Sequence, residues 1–398
     1  MPGFTLHNFG CRANQAEGAG LAAALARAGM APAGPGGAPE WIVCNTCTVT
    51  AEADAEARRA IRRLHRRHPQ ARIAVTGCYA QRAPQEVAAL DGVAMVAGRA
   101  EAAGLARRLC GESVPLPLPA KLASALLLER TRPVVKVQEG CDRRCAYCVV
   151  PLVRGASQSL PLGEVLERIQ RLTDAGAQEV VISGINLGQW GQDLDRRGRL
   201  PELVRTILER TALPRLRLSS VEPMDWDEGL TALLASEPRL CRHAHLPLQS
   251  GSDTELRRMR RRYRAAQYAE RALGLRQRVP EAAIGADVLV GFPDESETEF
   301  EETLRLVEAL PLTYLHVFTF SSRPGTEAAA RLASGEWTAT LAAVATERAA
   351  RLRQIIAAKR AAFLARMAGA KLEVVTLHTP AGAPGLGLSD NYLEVALP

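Results

Sequence analysis

Three cysteines stand close together near the middle of the chain, in the segment C-D-R-R-C-A-Y-C. Cys141, Cys145 and Cys148 follow a glycine and the apolar run 133–137, which predicts a loop directly after a β-strand. A structural zinc site is closed by four ligands, usually in two pairs, and no second pair follows within reach. Three thiolates at this spacing favour an iron–sulfur cluster with one iron left open, and zinc binding or chance clustering is the less favoured alternative. An open iron would make this loop a catalytic site.

Length, composition and charge limit the class of protein that carries this loop. The chain has 398 residues, 47% of them hydrophobic and only 4% aromatic, with a formal net charge of +7. This length predicts two or three domains with aliphatic cores, and the positive charge permits a polyanionic partner such as nucleic acid. We expect a cytoplasmic protein, because neither a secretory signal nor a membrane-spanning run is visible. Nine cysteines are then better interpreted as ligands or packed thiols than as disulfides.

Three further cysteines recur at comparable places in the first part of the chain. Between residues 4 and 98, short apolar runs alternate with helical stretches, as in a small parallel α/β domain. Cys11, Cys47 and Cys78 each come just after one of these runs. Because the carboxyl ends of parallel strands meet at one edge of a sheet, the three thiols are predicted to converge on a second site.

The remaining sequence predicts the domain plan. The proline-rich segment 113–119 predicts a semi-rigid linker, and later strand-like segments alternating with helices predict a partial (β/α) barrel. Helix is predicted over 338–367, strands over 372–377 and 392–395, and a turn over 382–387. The predicted fold class is α/β, with four segments: an N-terminal domain at 1–112, the linker at 113–122, the barrel domain at 123–367 and a short β appendix at 368–398.

Several motifs resemble a known family. The C-x3-C-x2-C loop, with Tyr147 before its last cysteine, resembles the radical S-adenosylmethionine superfamily. The segments G-C-R-A-N-Q-A-E at 10–17, N-T-C-T-V-T at 45–50 and T-G-C-Y-A-Q at 76–81 narrow the resemblance to the methylthiotransferases. Within that family, N-Q-x-E after the first cysteine and C-T-V-T-x-x-A-D look like the MtaB type. That type converts N6-threonylcarbamoyladenosine beside the tRNA anticodon to its 2-methylthio derivative.

The resemblance implies that each of the two cysteine sets holds an iron–sulfur cluster and that the two clusters have different functions. Cys141, Cys145 and Cys148 would hold a 4Fe-4S cluster whose open iron binds S-adenosylmethionine, and reductive cleavage would yield a 5'-deoxyadenosyl radical. The auxiliary 4Fe-4S cluster, implicated in sulfur delivery, would be held by the N-terminal set: Cys11, Cys47 and Cys78. One S-adenosylmethionine would serve as methyl donor and another as radical source, with the protein positioning both. A flavodoxin or ferredoxin is the expected electron donor, and a monomer is the expected oligomeric state.

Polar residues and glycines at the ends of the predicted barrel strands are the candidate cofactor contacts. The resemblance implies S-adenosylmethionine contact at the segment S-G-I-N-L-G, although a simple tight turn is the alternative there. Residues near other strand ends are interpreted as cofactor or substrate contacts. The full set is Ser183, Gly184, Asn186, Ser219, Glu222, Gln249 and Asp287. His243 and His245 alternate on one strand face and are interpreted as structural.

An arginine-rich helix is the candidate RNA contact. Thr50 is a suitable N-cap and Pro69 a stop, and the basic side chains between them occupy about half of the helix circumference. Charge runs are usually solvated, but this one favours a phosphate partner, which the resemblance supplies as tRNA. The residues are Arg58, Arg59, Arg62, Arg63, Arg66 and Arg67. A second arginine run, 257–264, is predicted to extend the same footprint.

Two features depart from the family pattern. The signature R-G-x-x-R-S-R reads R-G-A-S-Q-S-L at 154–160, so two expected arginines are absent. The C-terminal RNA-binding TRAM domain of the family, about 60 residues long, is replaced by about 30 residues, predicted to be a shortened TRAM-like sheet. Methylthiotransferase activity on isopentenyladenosine in tRNA or on a ribosomal protein aspartate is the alternative within the family. A non-catalytic iron–sulfur RNA-binding protein is the alternative of another class.

Overall fold

A computed structural model describes residues 2–34, 37–110, 131–195, 197–379 and 382–397. They fall into two compact units, one within Met1–Glu129 together with Val149–Ala156, the other within Arg130–Cys148 together with Ser157–Pro398. The predicted linker at 113–122 lies outside the described residues, so the predicted domain boundaries stay predictions. In the described ranges, no helix combines the length and the apolar character that crossing a membrane requires.

The first unit is a parallel α/β sheet. Its strands are β1 (Gly3–Asn8), β2 (Ala31–Pro32), β3 (Trp41–Thr46), β4 (Arg72–Gly77) and β5 (Val93–Val96). Its helices are α1 (Arg12–Arg27), α2 (Ala51–Arg67), α3 (Cys78–Arg82), α4 (Pro84–Ala88), α5 (Ala102–Cys110) and α6 (Val150–Arg154). The strand order is β2-β1-β3-β4-β5 and every pairing is parallel. The predicted parallel domain is confirmed.

Helices cover both faces of this sheet, so its central strand is buried throughout. All six residues of β3 are buried, as expected for a parallel strand covered on both sides. Trp41 and Val43 pack with the core that includes Leu25 of α1. Cys44 packs on the opposite face with Ile61 of α2. Cys44 is therefore a core residue, and burial raises the pKa of its thiol to about 12.

The second unit is a partial (β/α) barrel. Its strands are β6 (Val134–Glu139), β7 (Gln158–Ser159), β8 (Val180–Gly184), β9 (Leu216–Leu218), β10 (His243–His245), β11 (Ala283–Val290) and β12 (Tyr314–Thr319). The helices are α7 (Leu162–Asp174), α8 (Leu200–Arg210), α9 (Glu228–Ser236), α10 (Asp253–Arg258), α11 (Ala265–Arg278), α12 (Glu297–Ala309), α13 (Glu327–Ala333) and α14 (Ala342–Met367), with a 3₁₀ turn at Leu187–Gln189.

Parallel pairing continues through most of the barrel. The strand orders are β7-β6-β8-β9 and β10-β11-β12, and only β7 is antiparallel. A parallel bridge between Leu216 and Leu240 joins the two sheets next to β10. The strands therefore present their carboxyl ends on one side, where a (β/α) barrel collects its functional loops.

The chain ends in a small antiparallel sheet made of β13 (Val374–Leu377), β14 (Gly385–Ser389) and β15 (Glu394–Leu397). The predicted β appendix is confirmed, but the turn prediction for 382–387 is wrong from residue 385 onward, where β14 begins. The physical reason lies at Gly387, where an added Cβ would stand 2.6 Å from Val374 Cγ2. Glycine here permits close strand packing rather than a turn.

Two buried arginines hold the appendix against the barrel. Arg215 donates a 2.7 Å hydrogen bond to the Leu388 carbonyl, and Arg217 donates one of 2.9 Å to the Ser389 carbonyl. Both guanidinium groups pair with Glu179, at 2.6 Å and 2.7 Å. One buried carboxylate thus pairs with both of the cations that satisfy the carbonyls of β14.

Candidate iron–sulfur sites and cofactor contacts

The sheet of the first unit brings its three predicted ligand cysteines to one edge. Cys11 is the N-cap of α1 directly after β1, Cys47 follows β3, and Cys78 begins α3 directly after β4. Since β1, β3 and β4 are neighbours in the sheet, their carboxyl ends lie side by side. Cys11 and Cys78 both act electrostatically on the thiol of Cys47. The structure brings together the cysteines that sequence spacing predicted.

Two glycines make this convergence sterically possible. Gly10 has φ +88°, and a Cβ there would lie 2.4 Å from Cys47 Cβ and 2.7 Å from its Sγ. Gly77 has φ +95°, and its Cβ would stand 2.4 Å from the Thr46 carbonyl oxygen. Both positions need a positive φ and no side chain, which only glycine supplies at low cost. The G-C pairs at 10–11 and 77–78 therefore have a structural cause.

A buried asparagine network fixes the loops that carry these cysteines. Asn14 Nδ2 donates 2.9 Å hydrogen bonds to the carbonyls of Phe9 and Thr46, which join the first loop to the second. Asn45 Nδ2 donates at 2.8 Å to the Asn14 carbonyl, and Thr46 Oγ1 donates at 2.6 Å to the Thr76 carbonyl. In the sequence these residues are only members of the cysteine motifs, whereas the structure shows that their hydrogen bonds connect three strand ends.

A buried arginine supplies positive charge next to the thiols. Arg154, on α6, pairs with Glu17 at 3.0 Å, contacts the Asn14 amide oxygen and has a side chain only 2% exposed. Burial raises the pKa of Cys47 to about 11, and Arg154 acts against that rise. It acts in the same sense on Cys78, whose pKa burial also raises. A fixed cation of this kind favours thiolate or an anionic cluster over neutral thiol.

The second unit carries its cysteines on the loop after β6. Gly140, with φ +66°, opens the loop, and the Cys148 N–H donates at 3.0 Å to the Cys145 carbonyl. Ala146 is held from both sides, because its N–H bonds to the Met259 carbonyl and its carbonyl accepts from Ala328. The predicted glycine-led loop after a strand is thus observed, and it is anchored at its centre.

Nitrogen donors surround the sulfur atoms of this loop. Burial raises the pKa of Cys141, while the backbone N–H of Arg143 and the Asn186 side chain oppose the rise by donating to its sulfur. Arg261 Nη1 lies 3.4 Å from Cys145 Sγ and its other terminal nitrogen pairs with Glu222. Donors to sulfur stabilise thiolate ligands and tune the cluster that they hold.

Neither cysteine set has its sulfur atoms drawn together as tightly as ligands of one ion. A tetrahedral ion with metal–sulfur bonds of about 2.3 Å needs sulfur atoms about 3.8 Å apart. Among the described residues, neither cysteine set brings its three sulfur atoms within 4.8 Å of one another. Both sites have the thiol donors that an iron–sulfur cluster requires.

Most of the predicted cofactor residues lie at or just after strand ends of the barrel, whereas Asp287 lies within β11. Ser183 and Gly184 close β8, and Gly184 leaves room for Gln138, whose Oε1 accepts a 2.8 Å hydrogen bond from the Asn186 N–H. Ser219 follows β9 with a buried hydroxyl that has no hydrogen-bond partner among the described residues. Gln249 has φ +67° and donates its N–H to the Asp287 carbonyl at 2.7 Å.

Asp287 lies within a histidine cluster that sequence reasoning missed. Its Oδ1 is 3.2 Å from His245 Nε2 and 3.1 Å from His316 Nδ1. Although burial alone would raise it, the pKa of Asp287 is held well below its usual value by the two histidines. His243 is a structural residue, hydrogen-bonded at 2.7 Å to the Tyr314 hydroxyl and stacked on that ring. His316 gave no signal in the sequence, because only the pairing of β11 with β12 places it opposite Asp287.

The basic helix α2 forms as predicted, with Thr50 Oγ1 accepting from the Ala53 N–H at 3.1 Å. Two of its arginines are engaged within the unit, since Arg58 donates to the Tyr79 hydroxyl at 2.8 Å and Arg59 pairs with Glu52. The other four are exposed and have no acidic partner in the part of the chain that the structure describes. They are Arg62, Arg63, Arg66 and Arg67.

Three of the six arginines in the second run, 257–264, form internal ion pairs. Arg258 pairs with Glu299, Arg260 with Glu327 and Arg261 with Glu222. These carboxylates neutralise half of the run, and its extension of the RNA footprint stays a prediction for the other half. The acidic partners lie far away in sequence, which is why local charge patterning did not reveal them.

Comparisons with known proteins agree with this geometry. Residues 3–98 match the model of Uncharacterized protein family UPF0004, and residues 135–307 match that of the Radical SAM superfamily. The chain is 35% identical over 341 residues to threonylcarbamoyladenosine tRNA methylthiotransferase MtaB of Bacillus subtilis (strain 168), covering 83% of this chain and 76% of that protein. The chain belongs to the radical S-adenosylmethionine methylthiotransferase family. It is an enzyme of that family, and the predicted cofactor class, iron–sulfur clusters and S-adenosylmethionine, is confirmed.

Other methylthiotransferases match almost as well. The MtaB protein of Thermotoga maritima is 36% identical over 332 residues, covering 81% of this chain and 76% of that protein. A tRNA-2-methylthio-N(6)-dimethylallyladenosine synthase of Novosphingobium aromaticivorans is 36% identical over 343 residues, with 82% and 76% covered. Among solved structures, the radical S-adenosylmethionine methyltransferase TsrM of Kitasatospora setae shares the fold, with TM-score 0.55, 18% identity and coverage of 75% and 67%.

Proposed function

We propose that this methylthiotransferase converts N6-threonylcarbamoyladenosine in tRNA to its 2-methylthio derivative. The observation that carries the proposal is the presence in one chain of two three-cysteine sites, one at the carboxyl ends of β1, β3 and β4 and one on the loop after β6. One chain then carries a site for radical formation and a site for sulfur delivery. Relatives named for this reaction match most of the chain.

In the second unit, Cys141, Cys145 and Cys148 are the proposed ligands of the radical cluster. When bound, that cluster supplies the electron that cleaves S-adenosylmethionine reductively. The chain orients the loop through Gln138, whose Nε2 donates to the Gly140 carbonyl at 2.9 Å while its Oε1 accepts from Asn186. This buried amide therefore couples the cysteine loop to the end of β8.

The strand ends beside this loop are the proposed contacts of S-adenosylmethionine. The unpartnered buried hydroxyl of Ser219 is a donor available to a ligand. Glu222 is neutralised by Arg261, so it contributes a fixed ion pair rather than a free negative charge next to the cysteines. The proposed contacts are Ser183, Gly184, Asn186, Ser219, Glu222, Gln249 and Asp287.

In the first unit, Cys11, Cys47 and Cys78 are the proposed ligands of the auxiliary cluster. Cys11 is exposed whereas Cys47 and Cys78 are buried. The site is therefore open on the side of Cys11, where a sulfur acceptor can approach. Arg154 and the asparagine network hold the other side closed and polar.

We assign tRNA contact to the four unpaired arginines of α2. The C-terminal sheet is a poor RNA-binding surface by charge, because residues 372–398 contain neither lysine nor arginine but include Glu373 and Glu394, with Asp390 already paired with Arg242. A phosphate backbone is attracted to unpaired cations and repelled by such a surface. We also propose a flavodoxin or ferredoxin as electron donor, a monomeric enzyme and a cytoplasmic location.

The test is a reaction with two modified substrates. The full chain, reconstituted anaerobically with iron and sulfide, is incubated with S-adenosylmethionine, a reductant and tRNA carrying either threonylcarbamoyladenosine or isopentenyladenosine at the same position. Nucleoside mass spectrometry should show the 2-methylthio product from the first tRNA. Modification of the isopentenyladenosine tRNA alone would replace the proposal by the dimethylallyladenosine activity for which other relatives are named. Modification of neither tRNA would overturn it.

A further inference from the structure

The histidine cluster of the barrel has the composition of a metal site that needs no cysteine. His245, Asp287 and His316 stand on the adjacent parallel strands β10, β11 and β12. One ligand atom from each lies within 4.8 Å of the other two. Two imidazoles and one carboxylate form a donor set that suits zinc, ferrous iron or another divalent transition ion.

The distances within this cluster agree with coordination to one ion. Asp287 Oδ1 is 3.2 Å from His245 Nε2 and 3.1 Å from His316 Nδ1. Bonds of about 2.1 Å to nitrogen and oxygen place neighbouring ligand atoms about 3 Å apart when they meet at about 90°. The three atoms thus need little movement to share an ion.

The orientation of His245 is that of a prepared ligand. Its Nδ1 lies 2.7 Å from Ser220 Oγ, a contact that leaves Nε2 free to offer its lone pair when Nδ1 carries the proton. Its side chain is only 7% exposed. Its Nε2 is buried, faces Asp287 Oδ1 at 3.2 Å and has no other partner among the described residues. A metal-bound histidine is held through its second ring nitrogen in this way.

The other side of the cluster is open. The His316 side chain is 56% exposed and that of Asp287 is 20% exposed, so three protein ligands leave room for exchangeable ones. Three-ligand sites with open positions are typical of ions that bind water or a substrate oxygen. We propose that His245, Asp287 and His316 bind one divalent transition-metal ion, separate from both iron–sulfur sites and open to an oxygen ligand.

The test measures Co²⁺ binding to the full chain with the six cluster cysteines replaced by alanine, so that no thiolate competes. This six-alanine chain is the parent chain for all further variants. The visible d–d absorption of Co²⁺ reports nitrogen and oxygen ligands, and circular dichroism verifies that each variant is folded. We expect one Co²⁺ per chain, with the affinity reduced at least about 100-fold by His316→Ala and by Asp287→Asn, since each removes a ligand. Zn²⁺ should displace Co²⁺ at the same stoichiometry.

His378→Ala is the matched control, because this histidine is exposed in the same unit and lies outside the cluster. It should bind Co²⁺ like the parent chain. Absence of stoichiometric binding in the folded parent chain would overturn the proposal, and the cluster would then be a purely hydrogen-bonded triad. Equal binding by parent, His316→Ala and Asp287→Asn chains would also overturn it. Neither result depends on which nucleoside the enzyme modifies.

Discussion

The exposed arginines of α2 give a prediction whose size follows from the structure. Their replacement by glutamine should weaken tRNA binding mainly at low salt, because each arginine that contacts a phosphate releases a counterion. Six arginines lie on the helix, but two are already engaged with Tyr79 and Glu52. Four cations are therefore available. The variant carries Arg62→Gln, Arg63→Gln, Arg66→Gln and Arg67→Gln.

The magnitude comes from the salt dependence of binding. Loss of four phosphate contacts should reduce the slope of log affinity against log salt by about 3 to about 4. The affinity difference between wild type and variant should then shrink by about 100-fold between about 50 mM and about 200 mM salt. Filter binding or fluorescence anisotropy across a salt series measures both quantities.

A control of equal charge separates a local effect from a global one. The control replaces four exposed arginines on α7 and α8 of the second unit, so both variants lose the same formal charge. The control residues are Arg168, Arg171, Arg205 and Arg210. We expect the control to retain most of the wild-type slope. An unchanged slope in the α2 variant, or equal losses in both variants, would refute the assignment of α2 as the tRNA contact.

Three further predictions concern the framework of the sites. Gly10→Ala should lose about half of the reconstituted iron. A positive φ costs about 1–2 kcal/mol without glycine, and the new Cβ would stand 2.4 Å from Cys47 Cβ. A full complement of iron in the variant would contradict this prediction. Glu179→Gln should destabilise the fold by about 3–5 kcal/mol in denaturant unfolding, whereas the exposed Glu164→Gln should change little. Burial alone would raise the pKa of Glu179, but Arg215 and Arg217 hold it below 4.5. The stability that Glu179 contributes should therefore be complete above that pH and decline as the pH falls below it. Thr50→Ala should cost about 1 kcal/mol through loss of the N-cap of α2, and unaltered thermal unfolding would contradict the capping role.

The sequence predicted the parts of the fold in which one strong pattern determines one element. The apolar run 41–44 in the first unit lies in a fully buried central strand, and the cysteines that follow β1, β3 and β4 converge because parallel strands present the same ends together. The capped basic helix also formed with its predicted N-cap. In these cases local pattern and tertiary environment agree.

The parts that were missed depend on contacts between distant segments. His316 is unremarkable in its own strand and gains a role only because β11 brings Asp287 beside it. Arg261 belongs to a run that suggested phosphate binding, yet a carboxylate from the end of β9 neutralises it next to Cys145. The strand containing Gly387 was taken for a turn because glycine content is a local signal, whereas its cause is a cross-strand contact with Val374. Pairing and burial of this kind cannot be predicted from local composition.

The central claim is that the two cysteine sites have different tasks, and one reaction tests it directly. Two triple-alanine variants, one at Cys11, Cys47 and Cys78 and one at Cys141, Cys145 and Cys148, are reconstituted and supplied with S-adenosylmethionine, reductant and threonylcarbamoyladenosine tRNA. Mass spectrometry then quantifies 5'-deoxyadenosine and the 2-methylthio nucleoside in the same sample. The first variant should still release 5'-deoxyadenosine without forming the methylthio product, and the second should form neither. Methylthio product from the first variant, or 5'-deoxyadenosine from the second, would contradict the account.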